Sequence, residues 1–156
     1  MSSLKDPSIQ QSIKRLEYNH GERILGVRIS LDGNDNNEFM FRLNQSKELA
    51  RKIMDSPFSR NDAEVIYRER WIPSIGYCLP VTQFTEEQCN KIMIPFYKAI
   101  LPKMGLNRHI PLEVRFGPSK YNSKALSNLC THQFIKHLEW IVGTLRRKYR
   151  VGRILN

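Results

Sequence analysis

The second half of this chain has very little negative charge. Residues 81–156 hold only four carboxylates, Glu86, Glu87, Glu113 and Glu139, against 13 Lys and Arg, for a net charge of +9. Residues 1–80 almost balance, with 12 basic and 11 acidic side chains. The +10 of the whole chain therefore lies in one half, and a one-signed half points to a polyanionic partner or to a solubilising surface. Apolar runs of the ~20 residues a membrane helix needs are missing. The opening "MSSLKDPSIQQSIKRLEYNHG" lacks the apolar stretch of a secretory signal. Cysteine is scarce, and Cys78, Cys89 and Cys130 are odd in number and widely spaced. That pattern argues against a disulfide framework and for reduced thiols in an intracellular protein, nuclear or cytoplasmic.

Catalytic patterns are thin as well. There is no glycine-rich phosphate loop, and no Ser or Cys has a base and an orienting carboxylate nearby in sequence. "CTHQFIKH" brings Cys130, His132 and His137 close along the chain. A helix faces residues three or four apart toward each other, and His132 and His137 are five apart, so the spacing argues against zinc. Asp32 and Asp35 fit turn and cap roles better than a magnesium site. The residues describe no complete active site.

What is present is mostly helical pattern. Residues 1–20 read as a polar lead-in, partly helical through Ile9, Ile13 and Leu16. Ile24, Leu25, Val27, Ile29 and Leu31 form one apolar, β-branched run, so a strand is expected over 24–31, closed by Asp32-Gly33-Asn34. That strand has no evident partner and is expected to drive self-association through its unpaired edge. Asp35, Asn36 and Asn37 offer caps for a helix over about 38–55, which Ser56-Pro57 stops. Asn61 is expected to cap a second helix, which Pro73 kinks or ends. Thr85 and Gln88 of "TEEQ" form a capping box. The helix behind it carries Cys89, Ile92, Met93, Phe96, Tyr97 and Ile100 as its apolar stripe. After a Pro- and Gly-bearing connection, a last helix over about 123–148 is expected to bury Leu126, Leu129, Phe134, Leu138, Ile141, Val142 and Leu145. In "YRERW", Tyr67 and Trp71 share a helix face beside Arg68 and Arg70. They form either a stacking platform or, as the plainer reading has it, core aromatics with solvated arginines.

The order of three stretches resembles the reverse transcriptases of non-LTR, LINE-like retroelements. They are "RILGVRISLDGNDN", then "CLPVTQFTEEQCNKIMIPFYKAILPKMGLNR", then "P…FGP…Y". The resemblance covers roughly residues 13–145 and runs from the end of the palm through the thumb. It implies a palm-edge strand after a lead-in (1–33), a helical thumb-like domain (34–101), and a connection, final helix and basic tail (102–156). The implied fold is mainly α, a thumb-like helical bundle preceded by one or two short strands. Leu25, Gly26 and Val27 match the family's primer-grip strand, while "YNSKALSNL" has lost the glycines of a Gly-Gly-Leu-Gly-like stretch. The family's Tyr-x-Asp-Asp carboxylates, which hold the magnesium ions, do not occur in these residues. Mg2+ would belong to the missing palm, and this chain is expected to bind an RNA or DNA duplex, or a hybrid, without polymerising. The palm and fingers of the parent polymerase are the other implied partners. The candidate phosphate contacts are Lys91, Lys98, Lys103, Arg108, Arg146, Arg147, Lys148 and Arg150, with the "LPKMGLNRH" loop favoured over the tail. The alternative is a small basic helical adaptor for a protein partner or an acidic membrane.

Overall fold

The computed structural model describes residues 17, 21–121 and 123–146. Among them the fold is mainly helical, with two short antiparallel strands ahead of a helical bundle. The expected single strand over 24–31 is instead a hairpin. Strand β1 (Glu22–Ile24) pairs with β2 (Val27–Ile29), Arg23 opposite Arg28 and Ile24 opposite Val27. The turn is Leu25-Gly26, both at positive φ (49° and 91°), the conformation that joins twisted strands through two residues. The run finds its partner within itself, which corrects the lone strand from which self-association was expected.

β2 packs on α1 (Asn36–Asp55) around a buried ion pair. Glu38, fully buried, accepts from the backbone of Arg28 at 2.8 Å and from Arg42 Nε at 2.6 Å. Arg42 reaches on to the carbonyl of Ser74 at 2.9 Å. One carboxylate thus ties hairpin, α1 and the helix that follows, with its charge answered on both oxygens. Asp35 stands at the N-cap of α1 without capping it and instead accepts from the Gln83 backbone at 2.6 Å. Ser56, extended before Pro57, ends the helix as expected.

The second helix is capped by Ser59, not Asn61. The Ser59 hydroxyl accepts from Asp62 N, and the Asp62 carboxylate accepts from Ser59 N. It runs through α2 (Arg60–Val65), a π-helical segment (Ile66–Trp71) and α3 (Ile72–Gly76), which Pro73 opens. Ile72 N donates to Tyr67 O, five residues back, so the chain gains a residue just where proline withholds a donor. Helix α4 (Glu86–Lys103) starts at the expected capping box, with Thr85 N to Gln88 Oε1 at 3.0 Å and Gln88 N to Thr85 Oγ1 at 3.2 Å. All six positions of its expected stripe are buried. It packs on α1, and Ser46 donates to Ile92 O at 2.6 Å. Trp71 stacks on Phe96 with centroids 4.0 Å apart, and Tyr67 lies beside the same ring. Both aromatics of "YRERW" are therefore core, with Arg68 and Arg70 outside.

The connection after α4 holds a short helix, α5 (Leu112–Phe116). Gly105 (φ 73°) turns the chain out of α4, and a Cβ there would collide with the Arg60 guanidinium. Helix α6 spans Leu129–Arg146, starting six residues later than the expected 123. Leu126 and Leu129 are buried, but Phe134, Leu138, Ile141, Val142 and Leu145 are exposed, against expectation. The reason is that α6 docks by polar groups. Gln133 brackets Phe84, its Oε1 accepting from Phe84 N (3.1 Å) and its Nε2 donating to Phe84 O (3.0 Å). His137 Nε2 lies 2.8 Å from Leu79 O and 3.0 Å from Thr82 O, two acceptors, so this nitrogen carries the proton. These bonds turn the apolar stripe outward.

Candidate nucleic-acid interface

The expected basic contacts fall into three groups. Lys91 and Lys98, seven residues apart, share the exposed face of α4. Lys91 is paired at 2.6 Å with Glu87, whose carboxyl it holds below the ordinary carboxylate range. Lys98 has no partner among the described residues. In the favoured loop the pair is divided. Lys103 turns inward and donates to Ser56 O at 2.7 Å, closing the C-terminal end of α1, while Arg108 stays exposed. Lys103 therefore has a structural job where phosphate binding was expected. Arg146 is exposed at the end of α6, whereas Arg147, Lys148 and Arg150 lie outside the described residues.

The residues at the hairpin tip divide too. Val27 is buried against the bundle, Gly26 is half-buried, and Leu25 projects at 87 % exposure in a left-handed conformation that costs a non-glycine residue about 1 kcal/mol. The Tyr77 hydroxyl donates to the Leu25 carbonyl and holds the tip onto the bundle. A Cβ at Gly26 would lie 3.2 Å from the Tyr77 ring, so the close approach needs glycine. Between the tip and the π-helical segment lies an open cleft of about 700 Å3, lined by Arg23, Phe41, Arg42, Glu69, Arg70 and Tyr77. Arg28 stands opposite Arg23 and stacks on Phe41, its guanidinium carbon 3.8 Å from the ring centroid. Two like residues are paired in register across the hairpin, while Arg70 lines the far wall with Glu69 beside it. Opposed like charges oppose strand pairing unless an anion lies between or beside them.

Neither Arg23 nor Arg28 was singled out from sequence. The available signal was the glycine inside an apolar run, which marks a close backbone approach or a bend. With the bend at Leu25-Gly26, the two arginines are forced into register. Two of the described thiols are poor nucleophiles. Burial pushes the Cys78 thiol up to about 11 and the Cys89 thiol up to about 12. Among the described residues no three His, Cys, Asp or Glu side chains cluster as a metal set, and no helix is long and apolar enough to cross a membrane. Comparison with family models, curated proteins and solved structures finds no match.

Proposed function

We propose that the chain is the primer-grip and thumb portion of a LINE-like reverse transcriptase, and that it holds nucleic acid through the backbone. The observation that carries the reading is the tied hairpin tip. Leu25 and Gly26, two of the three residues that the resemblance assigns to a primer grip, stand on a presented turn, fastened by Tyr77, above a cleft bearing Arg23, Arg70 and Glu69, with Val27 buried behind it. Arginine suits phosphate because its planar fork donates two parallel hydrogen bonds. A grip on sugar and phosphate positions a duplex without reading its sequence. Lys98, Arg108 and Arg146 are further exposed cations. The metal chemistry of polymerisation belongs, on this reading, to a palm that supplies the carboxylates.

Fluorescence anisotropy with a labelled RNA–DNA hybrid across a salt series tests the reading. With about four to six phosphates engaged, log affinity should fall with log salt at a slope of roughly −4 to −5. Arg23→Ala/Arg70→Ala should make that slope shallower by about two units, one per lost contact, for any hybrid sequence. Lys103→Ala should change it less than either arginine does, since that ammonium is held back toward Ser56. A flat salt dependence, or binding to acidic vesicles in place of the hybrid, would turn the reading to a basic adaptor.

A further inference from the structure

We infer that the outward stripe of α6 is a self-association surface on which a second copy of this chain docks antiparallel. Phe134, Ile135, Leu138, Ile141, Val142 and Leu145 recur at helical spacing, on a stripe roughly 120° wide at 3.6 residues per turn. All six are exposed, Phe134 at 63 % and Leu138 at 45 %. Together they present on the order of 500 Å2 of apolar surface, toward the upper end of what a monomer ordinarily leaves bare. Among the described residues nothing covers this face, because Gln133 and His137 fasten the helix along its flank.

The stripe is complementary to itself. Thr131, Leu138 and Leu145 repeat every seven residues, as do Phe134 and Ile141, which is the seam of a two-helix coiled coil. A two-fold axis passing between Glu139 and Trp140 sets Phe134 against the partner's Leu145, and Leu138 against the partner's Ile141. Four layers close, each pairing one seam position with the other. The same axis places Lys136 level with the partner's Gly143 and Arg146 level with the partner's Gln133, so no like charges meet along the seam. Two copies would bury on the order of 1,000 Å2 in total, the lower bound for a specific interface, which suits a reversible dimer and not a permanent one.

Sedimentation velocity on the whole chain at about 10–200 µM, the range for an interface of this size, should show a monomer–dimer equilibrium. Leu138→Asp, at an exposed position, should weaken it roughly thirtyfold, as loss of a central anchor does, with an unchanged circular-dichroism spectrum. On a Cys130→Ser background, Leu138→Cys mixed with Ile141→Cys should crosslink on oxidation, and Leu138→Cys alone should not. A strict monomer would overturn the proposal, as would a monomer whose Leu138 binds lipid vesicles. So would a dimer indifferent to Leu138→Asp. Self-crosslinking of Leu138→Cys would mean a parallel pair and would overturn the antiparallel docking.

Discussion

Helices α4 and α6 are each 18 residues long, and each carries one apolar stripe at helical spacing. Read as patterns they promise the same thing. In α4 the stripe is the core of the molecule, and in α6 it faces outward. The difference lies in the residues between the apolar ones. The opposite face of α4 offers Glu87, Asn90, Lys91 and Lys98, which belong in water. The opposite face of α6 offers Gln133 and His137, which find backbone partners at Phe84, Leu79 and Thr82. A buried backbone group left without a partner costs about 1–3 kcal/mol, so these bonds hold a helix against the bundle by its polar side. Periodicity identifies the apolar side of a helix without saying what covers it.

Four substitutions would sharpen or break this contrast. The largest effect belongs to Phe96→Ala in α4, which empties the space between Trp71 and Tyr67. It should cost about 3–5 kcal/mol, read as a collapse of the urea midpoint. The matching change in α6, Phe134→Ala, should stay within about 0.5 kcal/mol at concentrations where the chain is monomeric. A large loss there would mean that the stripe is covered within one chain. Next comes Gln133→Ala, which strands both backbone groups of Phe84. A loss of about 1–3 kcal/mol is expected, together with faster amide exchange along α6. Thr85→Ala removes the capping box of α4 and should cost about 1 kcal/mol in thermal or urea unfolding.

The smallest effect is one of pH. Burial pulls the His132 pKa below its ordinary value, so the unfolded chain binds this proton more readily than the folded one. Its contribution to stability is complete above the unfolded pKa of about 6.5 and declines as pH falls through it, until the folded group titrates in turn. Wild type should therefore lose slightly more melting temperature than His132→Asn between pH 7.5 and 5.5. An equal loss in the two proteins would remove His132 as a cause.

Most of the fold was legible wherever local chemistry decides. The Thr85–Gln88 box, the Ser56-Pro57 stop and the stripe of α4 each depend on residues within a turn or two of one another. The cap at Ser59 was missed in favour of Asn61 because both are good capping residues, and only the reciprocal bond from Asp62 separates them. The hairpin was read as one strand because Leu25-Gly26 lacks the Asn-Gly or Asp-Gly signature, and leucine is a poor choice for positive φ. What holds it is Tyr77, 52 residues away, which no local window contains. The candidate site was half visible for the same reason. Basic residues could be counted, but nothing in the sequence places Lys103 beside Ser56. Arg23 and Arg28 became neighbours only through the bend.

The π-helical segment also bears on how this chain tolerates changes of length. Between Arg60 and Gly76 it accommodates one residue more than a regular helix would, immediately ahead of Pro73. Deleting a single residue from Ile66–Trp71 would let the segment tighten to ordinary helical pitch with little loss of hydrogen bonds. Because the wide turn absorbs that residue, the helix downstream would keep its phase. Ile75, Cys78 and Leu79, all buried, would stay on the core, and Tyr77 on the hairpin tip. The wide turn therefore works as slack in the helix, so a codon lost from its exposed residues Arg68–Arg70 should disturb folding less than one lost from the middle of α4, where the apolar stripe has no such turn to absorb the change. Circular dichroism and urea unfolding of the two single-residue deletions would rank them.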